Sequence, residues 1–197
     1  MAQQIFNPSL DGYVTRMTDE NCGEWVGYSY RDIDSAIYNY VSGNAHGICD
    51  PYTSYISRAF MEFNTTNLFP DEAIVKKVVL RVYISNVSSA RTRYLYVSSI
   101  RPSDYDPSYQ AGNIYANSGN GPIVWSGSVT TGWVNYDLGA NGITALQNHP
   151  TWLALGLLID ETLDGTTGYT YYRSSEYFGN TYTPQLIVYW RRGIIGG

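Results

Sequence analysis

Two stretches of strict alternation, residues 55–64 and 74–84, limit what this chain can fold into. In the first, Ile56, Arg58, Phe60 and Glu62 share one parity, and Tyr55, Ala59, Met61 and Phe63 share the other. In the second, Val78, Leu80, Val82 and Ile84 recur at every other position. Successive Cβ atoms of a strand point to opposite sides, so a period of two sets one series in a core and the other outside it. Branched and aromatic side chains suit a pleated surface, and no stripe of helical period competes. The two stretches predict long antiparallel strands near the middle of a sheet, joined across the turn at Phe69-Pro70-Asp71-Glu72.

The remaining segments read in the same way. Strands are predicted at residues 3–6, 12–17, 24–30, 36–41, 169–174 and 185–190. In a further strand at 91–100, Leu95 and Val97 point to the core and Tyr94 and Tyr96 away from it. Segments 123–129 and 132–138 predict a hairpin. The uninterrupted apolar run 152–159 predicts a strand buried on both faces. Trp125, Trp133, Trp152 and Trp190 all fall in strands, where a core would take them. Residues 42–53 form a loop, and 101–121 is the longest irregular stretch. One helix is predicted at 140–148, ended by His149-Pro150. About ten short strands with glycine-rich turns imply an all-β fold, an antiparallel two-sheet β-sandwich of jelly-roll type with one short helical turn. No Pro-rich, Ser-rich or single-charge run divides the 197 residues, so one domain over 1–197 is expected.

Charge narrows the partners. The formal net charge is -5, charged residues make up 15% of the chain, and Lys76 and Lys77 are its only lysines. No basic stripe is available for phosphates, which argues against nucleic acid, and no polybasic segment is available for anionic membranes. No apolar run approaches the ~20 residues needed to span a bilayer. The opening Met-Ala-Gln-Gln-Ile-Phe has neither a basic nor an apolar signal region, so no cleavable signal peptide is expected; the localisation expected is a virion or an extracellular surface. Tyrosine is the outlier at 20 residues, which leans toward a contact-making surface.

Catalytic patterns find little support. His46 and His149 are the only histidines, and neither sits in a nucleophile or metalloprotease motif; the chain reads as no enzyme. Cys22, His46 and Cys49 could hold a metal but lack the paired spacing of structural zinc, so a Cys22–Cys49 disulfide or two reduced, buried cysteines are favoured over zinc. No cofactor is expected, although Asp32, Asp34, Asp160 and Asp164 lie in turns where calcium could bind. Turn aspartates more often serve their own backbone. Tyr105, Tyr109 and Tyr115, with Asp104 and Asp106, lie in the long irregular stretch. They form either a contact surface for a sugar or a subunit, or pins holding that loop to the sandwich.

Several short motifs also carry a family resemblance. Arg58-Ala59-Phe60-Met61-Glu62-Phe63-Asn64, then Leu68-Phe69-Pro70 and the Val75, Val78, Leu80, Val82 series, resemble the opening signature of the DNRLRE-domain β-sandwiches. That group is related to disaggregatase-type and family 96 carbohydrate-binding modules. Asp11-Gly12-Tyr13-Val14, Gly132-Trp133-Val134-Asn135-Tyr136-Asp137, and Ser174-Ser175-Glu176 followed by Pro184-Gln185-Leu186-Ile187-Val188-Tyr189 continue the likeness in order. The name-giving six residues are not present as such, and 104–122 departs from the pattern. The resemblance implies a jelly-roll fold, occasional structural calcium, and an acidic partner for Arg58, with Glu176 the residue at the matching place.

Two functions are consistent with these features. One is a non-catalytic structural or decorating protein of an extracellular assembly, a virion above all, touching other copies, other particle proteins or surface glycans. The alternative is a carbohydrate-binding module. For the first, the apolar tail at Ile194 and Ile195 is expected to plug into an adjacent copy, and residues 3–6 to extend a neighbour's sheet.

Overall fold

The computed structural model describes residues 1–18, 25–31, 37–42, 55–66, 73–88, 91–161, 168–175 and 181–193. The described residues form twelve strands in two antiparallel sheets packed face to face. One sheet runs β1 (Ala2–Phe6), β12 (Gln185–Arg192), β6 (Ala73–Val87), β9 (Gly132–Asp137). The other runs β3 (Trp25–Arg31), β2 (Leu10–Thr18), β5 (Tyr55–Asn64), β10 (Trp152–Ile159), β7 (Arg93–Val97), β8 (Ile123–Gly127). A short pair, β4 (Ile37–Ser42) and β11 (Gly168–Tyr172), bridges them, with β11 joining the end of β6 and β4 the end of β5.

The predicted central strands are β5 and β6. Val78, Leu80, Val82 and Ile84 of β6 are fully buried between the sheets, facing Ala59, Met61 and Phe63 of β5 and Leu153, Leu155 and Leu157 of β10. Leu95 and Val97 join them, while Tyr94 and Tyr96 point away, as the alternation predicts. Each such side chain contributes about 1.5–3 kcal/mol of burial. The apolar run of β10 is buried on both faces, as its composition predicts. Arg93, 1% exposed, is a cation held inside, donating to Thr170 Oγ1 at 3.0 Å and to the carbonyls of Tyr169, Arg91 and Ser88.

Four expectations need correction. First, β5 is buried on both faces: Ile56 and Phe60 lie beneath a helix, α1 (Pro107–Asn117), in a second core with Val14, Ala111, Ile114, Tyr115 and Ile159. The stretch 101–121 is therefore a short 3₁₀ turn (Pro102–Asp104) followed by that helix. Ala111, Ile114, Tyr115 and the buried Ser118 follow helical spacing, but Gly112 and Asn113 are poor helix formers, and Gln110 breaks the helix at φ -120° and ψ 18°. Second, the helix α2 (Gly139–Asn148), placed as predicted, is thus one of two helices among the described residues. It puts Leu146 into the core at one end of the sandwich. Third, β8 and β9 form no hairpin, because β8 pairs with β7 and β9 with β6, and the chain crosses between sheets at 128–131. Fourth, β1, expected to extend a neighbour's sheet, pairs along one edge with the chain's own β12, from Ala2 opposite Trp190 to Phe6 opposite Leu186.

Gly156 shows why α1 sits where it does. A Cβ on Gly156 would stand 1.6 Å from the carbonyl oxygen of Ser118, so only glycine lets the helix's exit lie flat on β10. No helix among the described residues is long and apolar enough to cross a membrane.

Candidate functional site

The helical side of the molecule is anchored by two ion pairs. Arg58 donates from Nε to Glu161 Oε1 at 2.6 Å, from a terminal nitrogen to Oε2 at 2.8 Å, and from the other to the Tyr115 carbonyl at 2.9 Å. Its guanidinium carbon stands 4.1 Å from the centre of the Tyr115 ring. Burial opposes this cation, but the hydrogen bonds and charge of Glu161 outweigh it and raise the Arg58 pKa. The acidic partner expected for Arg58 therefore exists, but it is Glu161; Glu176 lies outside the described residues. Sequence proximity to a motif cannot reveal that residue 161, at the end of β10, reaches across β5. Glu62, 1% exposed, accepts from Arg101 Nε at 2.8 Å and from Ser103 N–H and Oγ, both at 2.9 Å, which ties the 3₁₀ turn to β5.

These contacts decide part of the expected tyrosine surface. Tyr115 is 3% exposed and belongs to the second core, so it pins its helix and does not present a contact face. Its burial pushes the phenol up to about 12. Tyr105 packs partly against the same core, Asp104 and Asp106 are exposed, and Tyr109 falls within α1.

The other expected sites are reached only in part. Cys22, Cys49, His46, Asp32, Asp34, Asp164 and the tail at Ile194 and Ile195 lie outside the described residues. Asp160 offers its backbone carbonyl to Arg91 at 2.9 Å. No group of three or more His, Cys, Asp and Glu converges among the described residues. His149 closes α2 and stacks on Trp152 at 4.5 Å. Two ends of the family-like pattern do meet: buried Asp11 accepts from the Ser175 N–H at 2.9 Å.

The most distinctive surface lies on the opposite side, on the outer face of the β1–β12–β6–β9 sheet. In β9, Val134 and Tyr136 turn inward, which sends Trp133, Asn135 and Asp137 outward. Trp133 is 39% exposed, although a strand tryptophan was expected to be core. Gly132 enters this strand at φ +103°, a conformation side chains rarely adopt. Across the register, Trp133 faces Tyr83 with ring centres 5.6 Å apart, edge to face. Tyr182, from the turn before β12, tilts against Tyr83 at 4.2 Å, and the Arg81 guanidinium lies 4.4 Å from the Trp133 ring centre. Farther along the face, Val79, Ile187 and the exposed Ile5 form an apolar row, and Lys77 pairs with Asp137 at 2.9 Å. That pair raises the Lys77 pKa, chiefly through its hydrogen bond; the same bond, with the Gly139 N–H, lowers that of Asp137.

Parity was the available signal for this patch. Trp133 shares phase with Asn135 and Asp137, and Tyr83 with Arg81 and Ser85, so polar neighbours mark both as outward. Chemically, the face combines flat apolar rings, a guanidinium, an amide and a carboxylate. It suits stacking and hydrogen bonding to a partner. Compared with known proteins, the chain matches no family model, and no curated protein matches it.

Proposed function

We propose that this chain is a non-catalytic building block of an extracellular assembly, a structural or decorating protein of a virion, that works by contact through the outer face of β1–β12–β6–β9. The supporting observation is the exposed Trp133, set among Tyr83, Tyr182 and Arg81 on the outer face of that sheet. Tryptophan, tyrosine and arginine carry most of the binding energy in protein interfaces. Rings already locked against one another lose little freedom when a partner arrives. The jelly-roll likeness to DNRLRE-domain sandwiches fits a module that displays a sheet face. The test is a Trp133→Ala, Tyr83→Ala double variant offered to particles of the source. It should keep its circular dichroism yet fail to co-sediment with them; incorporation equal to wild type would sink the reading.

A second reading, a carbohydrate-binding module, draws on Asn135, Arg81 and Asp137 beside the same rings, since stacking plus hydrogen-bonding groups suits a saccharide. A panel of immobilised glycans decides for it if wild type binds and the double variant does not. It decides against it if wild type binds none.

A further inference from the structure

Charge is not spread evenly over this acidic chain. Residues 102–172 contain no Lys or Arg. On the described outer face of the β1–β12–β6–β9 sheet, Lys77, Arg81 and Arg191 point outward against one carboxylate, Asp137, an excess of two positive charges. The opposite side of the sandwich reverses this at the 3₁₀ turn. There Glu62, Asp104 and Asp106 stand against Arg101, an excess of two negative charges. Arg101 is already tied to Glu62, and Asp104 and Asp106 are both exposed. The 3₁₀ turn is held rigidly by three hydrogen bonds to Glu62, so its carboxylates need little ordering on docking.

Resting on the building-block reading above, we propose that the occupant of the aromatic, basic face is the acidic 3₁₀ corner of a second copy. The two surfaces lie on opposite sides of the sandwich, so one molecule cannot satisfy both within itself. Pairing two basic faces would set like charges against each other. Docking face to corner matches charges and leaves each added copy with one free face and one free corner. Such a contact is heterologous and propagates into a ring or a filament unless something caps it. Arg81 and Arg191 steer the approach, and Trp133 and Tyr83 supply the apolar contact once water is displaced.

Sedimentation velocity of the full chain tests this over a range of concentrations, beside two neutralised variants. One is Arg81→Gln, Arg191→Gln in the face, and the other Asp104→Asn, Asp106→Asn in the corner. Wild type should sediment faster as concentration rises and return to monomer in about 1 M salt, where the screening length is ~3 Å. Each variant alone should stay monomeric. An equimolar mixture should form dimers and stop there, because the face variant keeps its corner and the corner variant keeps its face. Asp104, Asp106 and Arg191 are exposed and Arg81 is half-buried, so circular dichroism checks that each variant keeps its fold. A wild type that is monomeric throughout, or a mixture that remains monomeric, overturns the proposal. If the corner variant assembles like wild type while the face variant does not, the occupant is not the corner, although the face survives as the contact surface. If both variants assemble like wild type, the face itself is wrong.

Discussion

Trp133 of β9 stands directly opposite Tyr83 of β6, and their rings meet edge to face with centres 5.6 Å apart on the solvent side of the sheet. A cross-strand aromatic pair of this kind contributes ~0.2–1 kcal/mol. Trp133→Ala should therefore cost about 1 kcal/mol or less in a urea titration, with an unchanged slope, while association is lost. A cost above about 3 kcal/mol would mark the ring as structural.

Arg58 is a different case, because its removal strands Glu161 beside α1. Breaking a buried ion pair costs ~3–5 kcal/mol, and with side chains 17% and 24% exposed this pair belongs near the lower end. Arg58→Lys should recover only part of the loss, since a compact ammonium lacks the planar fork that meets both carboxylate oxygens and the Tyr115 carbonyl from separate nitrogens. Thermal melts of the two variants check the order. An Arg58→Ala melt within a degree or two of wild type would remove the pair from the account.

Gly156→Ala should be among the most damaging single methyl additions. The new carbon meets backbone, the Ser118 carbonyl, at 1.6 Å, and neither β10 nor the helix exit can swing aside as a side chain would. A loss of roughly 3 kcal/mol is expected. Hydrogen exchange should rise first in α1, because that helix loses its seat; uniform protection there would contradict the packing.

Alkaline stability follows from Tyr115. Its phenol is raised by burial from 10.0 to about 12, and Tyr136 is displaced further in the same direction. Between these pH values the unfolded chain has released the proton and the folded chain holds it, so the unfolded state binds fewer protons and stability falls as pH rises. Below pH 10 the contribution is complete. Denaturant midpoints should hold up to about pH 10 and drop toward pH 12, and absorbance at phenolate wavelengths should show the buried tyrosines ionising with unfolding. A midpoint that stays flat to pH 12 would refute it.

Much of the sandwich was legible because alternation records which face is buried. Val78, Leu80, Val82 and Ile84 read inward and are inward. Alternation records nothing about a second cover, so Ile56 and Phe60 looked exposed until α1 was placed over them. That helix is weak in propensity and owes its place to packing, through Tyr115, Arg58 and the missing side chain of Gly156. The turn between β8 and β9 carries hairpin chemistry, but local turn residues do not say whether the flanking strands share a sheet. The site is legible by phase alone. Residue type puts Trp133 in the core, but its phase follows Asn135 and Asp137 into solvent.

The central claim is that the chain works through the face bearing Trp133 and Tyr83. Hydroxyl-radical footprinting of the free chain and of the native particle compares the two rings in place, whatever the partner. Oxidation of Trp133 and Tyr83 should fall several-fold in the particle, while that of the already buried Tyr115 stays low in both. Equal oxidation of Trp133 in the free and assembled states would contradict the account.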